Sequence, residues 1–215
     1  MENPHFIFDF ETIGQSIFNS PTVACAYFVF DWDRFTSDNP YTFKELVKSV
    51  RYDKLDLQEE LDNGCTYTKR DTDWWDKQDP EVRDRIITPN SEVDISHKQL
   101  ISNIESHIKQ STNTNRVNKW WTRSNAFDPP FLERLCDVYM GNRSYFENQL
   151  PFWLVRDTRT YIDTRFNFKL KKNGFVPIDD EELWAKFFRE HDPIHDIAAD
   201  ILRLQRCERL INEVE

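Results

Sequence analysis

The chain has 215 residues, 31% of them charged and 39% hydrophobic, which suits one compact globular domain with a real core and excludes a disordered chain. A net charge of −10 excludes a protein that coats nucleic acid by charge alone, although bound divalent cations would invert the local field. The four glycines form neither a GxGxxG nor a GxxxxGK(S/T) loop, so dinucleotide and P-loop chemistry are not indicated.

In chain order, apolar residues at 6, 7, 8 and 10 within FIFDFETIG predict a buried strand, and TVACAYFVFD (22–31) predicts a second, paired antiparallel to it. YTFKELV (41–47) admits a third strand, though Lys44, Glu45 and Leu46 suit a helix as well. Residues 48–71 are polar and aperiodic and read as irregular, with no assignable role. Asp71 or Thr72 is the predicted cap of a helix through DWWDKQDPEVRDRI, divided at Pro80. In SEVDISHKQLISNIESHIKQ (91–110), Ile95, Leu100, Ile101, Ile104 and Ile108 largely form one helical stripe. NKWWTRSNAF (118–127) reads as a strand entering a turn, and DPPFLERLCDVYM (128–140) as a helix capped by Asp128. FWLVRDTRTYID holds a short strand and a helix start, and a last amphipathic helix runs from about Pro193 to Val214 through Ile197, Ile201, Leu204 and Ile211. Strands first and helix–strand alternation later predict an α/β layered domain. Cys25, Cys65, Cys136 and Cys207 lack CxxC spacing and read as reduced, mostly buried thiols. With no signal peptide and no run of about 20 apolar residues, the expected setting is cytoplasmic, without a membrane partner.

Asp9 and Glu11 are the first candidates for chemistry. Two apart on a strand, they leave the same face, and two close carboxylates repel unless a cation such as Mg²⁺ or Mn²⁺ sits between them. A solvated strand end is the plainer reading. Asp31 and Asp33 in FVFDWD repeat the pattern at the opposite edge of the hairpin, where solvation suffices. Asp128, after a strand and before a helix, reads as a cap or as a further acid. HDPIHDIAAD adds His191, Asp192, His195, Asp196 and Asp200, a set that also fits an exposed helix start. A zinc site on the histidines is disfavoured, because Pro193 lies between them and no HExxH glutamate follows.

FDFETIG, NAFDPPFLERL and HDIAAD resemble the three motifs of the DEDD superfamily of 3′→5′ exonucleases, in the DEDDh branch because a histidine stands in the third motif. DTDWWDKQDPEVRDRI, KWWTRSNAFD, RDTRT and HDPIHDIAADIL extend the resemblance to the exonuclease A group of tailed phages and related bacterial exoribonucleases. The resemblance implies one RNase H-like domain over 1–215, with a five-stranded mixed sheet and helices on both faces. It also implies two divalent cations, Mg²⁺ or Mn²⁺. Asp9 would bridge them, Glu11 and Asp200 would complete one site, Asp128 would support the other, and His195 would take a proton from water. His191 and Asp196 share the five-residue offset of His195 and Asp200, which is about 140° on a regular helix. The sequence reading prefers His195 with Asp200, since Ala198 and Ala199 leave room beside the latter, and keeps Asp196 as support for the ligands.

Thr12, Trp74, Trp75, Asn125, Arg156 and Arg159 are the candidate substrate contacts. Trp74–Trp75 and Trp120–Trp121 could stack terminal bases or fill the core, and on a strand at least one of Trp120 and Trp121 is expected inside. Arg165, Lys169, Lys171 and Lys172 form the clearest basic patch, a strand guide or a solvated loop. The expected activity is removal of nucleoside 5′-monophosphates from the 3′ end of DNA. RNA ends are the second reading, and an inactive nucleic-acid-binding module a third. Oligomeric state, processivity and strand preference leave no trace in the sequence.

Overall fold

The structure, a computed structural model, describes residues 1–176 and 186–212, with side chains as far as Leu210. It begins with β1 (Pro4–Thr12) and β2 (Thr22–Asp31), antiparallel as expected, with Asp9 opposite Ala26 and Glu11 opposite Ala24. Asp31 lies opposite Pro4, at the far end of the hairpin from the two acids. Residues 41–47 are not a strand: α1 (Phe43–Ser49) starts there, because the Thr42 side chain accepts the Glu45 N–H and opens a helix. The stretch expected to be irregular instead holds β3 (Arg51–Lys54) and α2 (Leu57–Asp62), the latter capped by Asp56.

α3 (Lys69–Trp75) begins at Thr68, earlier than the predicted cap, and Asp71 accepts the Thr68 N–H from inside the first turn. Pro80 does divide the segment, opening α4 (Pro80–Ile87) behind the cap Asp79. α5 (His97–Ser111) is capped by Ser96, which leaves Ile95 outside the helix and bridged to Leu55. β4 (Lys119–Thr122), α6 (Asp128–Met140), β5 (Val155–Asp157), α7 (Thr158–Arg165) and α8 (Pro193–Asn212) follow the predicted order. Val214 and the Ile211 side chain fall outside the described residues.

The five strands run β3-β2-β1-β4-β5, with β4 parallel to β1 and to β5 and the other pairs antiparallel. Alternation along β1 sorts the layers. Phe6, Phe8 and Phe10 face α5 and α6, packing on Leu100, Ile101, Ile104 and Phe131. Each buried phenylalanine contributes about 1.5–3 kcal/mol. Ile7, Ala26, Phe30 and Trp121 face the other way, onto α1, α7 and α8. Trp75, Val82, Ile86 and Leu57 close a third cluster over Ile13, Val23 and Ala24 at the end of the hairpin. All four cysteines are buried and unpaired. No helix among the described residues is long and apolar enough to cross a membrane.

Candidate active site

Asp9 and Glu11 belong to the odd-numbered side of β1 and so face α8, over Ala26 and Ala24, whose small side chains leave space above the sheet. Asp196, in the first turn of α8, enters that space. One carboxylate oxygen from each of Asp9, Glu11 and Asp196 lies within 4.8 Å of the others. Burial, then the charges of Asp128 and Glu11, pushes the Asp9 carboxyl well above the usual carboxylate range. Glu11 is raised by burial and then by Asp196. Asp196 is pushed up to about 7 by burial and then by Asp200. Three hard oxygen donors that repel one another in a half-dry site are a donor set for a hard divalent cation.

Asp128 is the first residue of α6 rather than its cap; Phe127 holds the cap position without a side-chain bond. The buried Asp128 carboxylate points back to the sheet, where Oδ1 accepts the Phe10 N–H at 3.1 Å. Burial raises it to about 7, opposed by that N–H. It stands beside Asp9 but outside the 4.8 Å group.

Asp200 lies one turn further along α8, close enough for its charge to raise Asp9, Asp128 and Asp196, but its oxygens are engaged. Oδ1 accepts from Arg123 and from Arg203 at 2.9 Å, and Oδ2 accepts the Thr158 hydroxyl at 3.1 Å. Its carboxylate is already consumed by two guanidinium groups. The two histidines differ likewise. Nδ1 of His195 accepts the Arg189 N–H at 3.0 Å, and its ring packs edge-on against Phe43. His191 sits just before α8 in a left-handed backbone (φ 62°), its N–H donated to Asp196 Oδ2 at 3.1 Å. Burial lowers the pKa of both rings. Asp192 fixes the start of α8: Oδ1 accepts the Ile194 N–H and ion-pairs with Arg85 at 2.6 Å.

A cleft of about 520 Å³ opens beside Glu11, lined by Thr12, Gly14, Gln15, Arg70, Trp74 and Phe127. Gly14 forms its floor at φ 110°, where a Cβ would meet Ser20 Oγ at 2.6 Å. Of the candidate contacts, Thr12 and Trp74 line this cleft, and Trp74 is 42% exposed. Trp75 is 1% exposed, with its Nε1–H donated to the Thr12 carbonyl, and is core. Trp120 and Trp121 are both core, one on each face of β4. Asn125 is exposed in the turn before α6; its N–H donates to Asp157 and its Oδ1 accepts the Thr122 hydroxyl. Arg156 donates to the Trp153 and Val155 carbonyls, while Arg159 is exposed near enough to Asp128 to favour its ionised form. In the basic patch, Arg165 pairs with Glu208, and Lys172 lies over the Phe175 ring at 3.8 Å, near Arg123 and Arg203.

The fold and this site define the class. Solved structures of E. coli exonuclease I share the fold: the complex with a dT13 oligonucleotide matches 98% of this chain at TM-score 0.54 and 14% identity, and the zinc-bound complex with single-stranded DNA matches 99% at 0.54 and 13%. The chain spans about two fifths of those proteins, 41% in each case. The fold is therefore RNase H-like, as the sequence resemblance implied. The family of the 3′-5′ exoribonuclease Rv2179c-like domain matches residues 4–196, and the exodeoxyribonuclease of Enterobacteria phage T4 is 31% identical over 95% of this chain and 88% of its own length. The chain belongs to this Rv2179c-like family of DEDDh exonucleases, and it is a 3′→5′ exonuclease acting on nucleic acid.

Proposed function

We propose that the protein hydrolyses DNA from its 3′ end to nucleoside 5′-monophosphates, with Asp9, Glu11, Asp128 and Asp196 holding two divalent cations, Mg²⁺ or Mn²⁺, and His191 as the proton acceptor. The observation that carries this reading is the approach of Asp9, Glu11 and Asp196 oxygens to within 4.8 Å. It replaces the sequence preference for Asp200 and His195, because Asp200 is spent on Arg123 and Arg203 and His195 Nδ1 on a backbone N–H. The family match also takes in His191 and Asp196 and ends short of Asp200.

When bound, such cations lower the pKa of the attacking water and offset charge on the phosphate and on the departing 3′ oxygen. The protein's own groups do the rest. The four carboxylates would hold the cations over the end of β1, and the cations in turn would bind the reacting phosphate there. A ring nitrogen of His191, kept neutral near pH 7 by burial, accepts the proton of the water. The cleft beside Glu11 receives the terminal nucleoside, with Trp74 as a stacking face and Thr12 at its wall. Asn125, Arg156 and Arg159 border the path of the preceding phosphates.

DNA is favoured by the 31% identity to an exodeoxyribonuclease. The family description as exoribonuclease supports RNA as the second reading. The test incubates 3′-end-labelled single-stranded DNA and RNA of matched sequence with Mg²⁺ or Mn²⁺, using wild type and Asp9→Ala. Wild type is expected to release labelled mononucleotide from DNA, and Asp9→Ala to lose at least about 10²-fold of that rate. Cleavage of RNA alone overturns the DNA reading, and equal rates for both proteins overturn the carboxylate site. No release from either strand points to a binding module.

A further inference from the structure

The His191 imidazole makes no hydrogen bond among the described residues. Its aromatic neighbour is Trp74, whose ring meets it edge-to-face with centroids 4.7 Å apart and planes at 72°. Two features of His191 make that contact consequential. The residue precedes α8, outside the helix's own hydrogen-bonding, and its backbone is held in the left-handed region, which non-glycine residues rarely adopt. The N–H to Asp196 fixes the main chain and leaves the direction of the ring to its packing.

Trp74 itself is placed firmly. Trp75, the next residue, is buried and hydrogen-bonded to the carbonyl of Thr12, directly after Glu11, and its ring meets Trp74 at 5.1 Å and 87°. The first turn of α3 is tied by the Thr68 N–H to Asp71. The indole of Trp74 thus has one side against His191 while the ring remains 42% exposed in the cleft with Glu11, Thr12 and Phe127. A single aromatic side chain touches both the cleft and the histidine.

We infer that Trp74 is a positioning residue, orienting the His191 ring for proton transfer and coupling that orientation to occupancy of the nucleoside cleft. The inference rests on His191 as the proton acceptor and goes beyond stacking, because it gives Trp74 an effect on the chemical step as well as on binding. A nucleoside seated on the indole holds the indole, and the indole holds the imidazole. Misplacing a catalytic group by about 1 Å can cost ~10²-fold in rate, so a modest loss of ring order is measurable.

The experiment uses the full chain and the labelled strand that wild type cleaves, in single-turnover reactions run to saturating enzyme. Proteins compared are wild type, Trp74→Ala, Trp74→Phe, His191→Asn and the Trp74→Ala/His191→Asn double variant, each checked for an unchanged thermal melt. Trp74→Ala is expected to raise the half-saturating concentration and to lower the maximal rate by about tenfold. Trp74→Phe, which keeps a ring edge against the imidazole, should restore most of the rate. His191→Asn should lose about 10²–10³-fold, with no further loss of maximal rate in the double variant. A Trp74→Ala effect confined to half-saturation overturns the positioning role, as do rate losses that multiply in the double variant. His191→Asn at wild-type rate overturns instead the proton-acceptor assignment beneath it.

Discussion

Asp196 and Asp200 stand one turn apart on α8, about 6 Å along its axis, and that offset separates two environments. The first turn reaches the end of β1, where acids collect; the second lies over Arg123 and Thr158. The two positions should therefore fail differently. Asp196→Asn is expected to lose at least about 10²-fold of exonuclease rate without a fall in the urea midpoint, since it relieves repulsion among the acids. Asp200→Ala leaves Arg123 and Arg203 without their carboxylate and should cost about 3–5 kcal/mol of folding stability, read as a fall in the midpoint. A fall in rate from Asp200→Ala that exceeds that from Asp196→Asn, at equal folded fraction, would reverse the assignment. Asp9, Glu11 and Asp128 were legible as candidates through the order of the motifs they share, since the carboxylate pair alone recurs at Asp31 and Asp33 and Asp128 alone reads as a cap. The third motif was not, because HDPIHDIAAD contains the same His–Asp spacing twice. A usable signal was Arg203, three residues beyond Asp200 and on its helical face, which marks that aspartate as already paired.

Between elements, two joints depend on neutral histidines. His5 Nδ1 on β1 accepts the Trp121 Nε1–H of β4 at 3.0 Å, and His107 Nε2 on α5 accepts the Val29 N–H of β2 at 3.1 Å. Burial lowers His5 to about 3 and His107 to about 4. Each pKa is below its unfolded value of about 6.5, so as pH falls the unfolded chain takes up the protons first. Stability is then lost from about pH 6.5 downward, at about 1.4 kcal/mol per pH unit for the well-buried His5. The raised carboxyls of the acid cluster act with the opposite sign over the same range, so the readout is the difference between proteins: from pH 7 to pH 5 in urea titrations, wild type should lose more stability, or gain less, than His5→Gln, which keeps an acceptor for Trp121. An equal change in the two proteins would assign the acid sensitivity elsewhere. Elements with strong periodicity, such as β1, β2, α5 and α6, were legible in the sequence. β3 was not, because an edge strand with Arg51, Asp53 and Lys54 has no apolar alternation to read. α1 and α2 are shorter than two helical turns and announce themselves only through the caps Thr42 and Asp56.

Across the whole molecule, the acid cluster opposes folding whenever no cation is bound. Asp128 and Asp196 are raised to about 7, above the usual carboxylate value, and Asp9 and Glu11 are raised as well. For raised carboxyls the sign runs opposite to that of the histidines. Their stabilising share is complete below about pH 4 and is lost as pH rises through about 7. At pH 8 in EDTA the wild-type protein should melt lower than Asp9→Asn by about 2–8 °C, at about 2–4 °C per kcal/mol for a chain of this size. Mg²⁺ or Mn²⁺ should raise the wild-type Tm, since a ligand of the native state stabilises it, and should raise that of Asp9→Asn much less. Equal metal responses in the two proteins would show that the cation binds away from β1. The net charge of −10 acts at long range as well: a polyanion approaches this surface against repulsion, which bound divalent cations would offset at the acid cluster.

The alternation of β1 has a consequence for how errors in folding are rejected. Phe6, Phe8 and Phe10 fill one layer while Asp9 and Glu11 face the other. A slip of one residue against β2 would exchange the sides, driving both acids among the phenylalanines and the phenylalanines toward the polar cleft. Two unpaired carboxylates in that layer would cost several kcal/mol, a large part of the margin of a typical domain. The slipped register is thereby strongly disfavoured against the native one. The residues assigned to the chemistry also proofread the sheet that carries them.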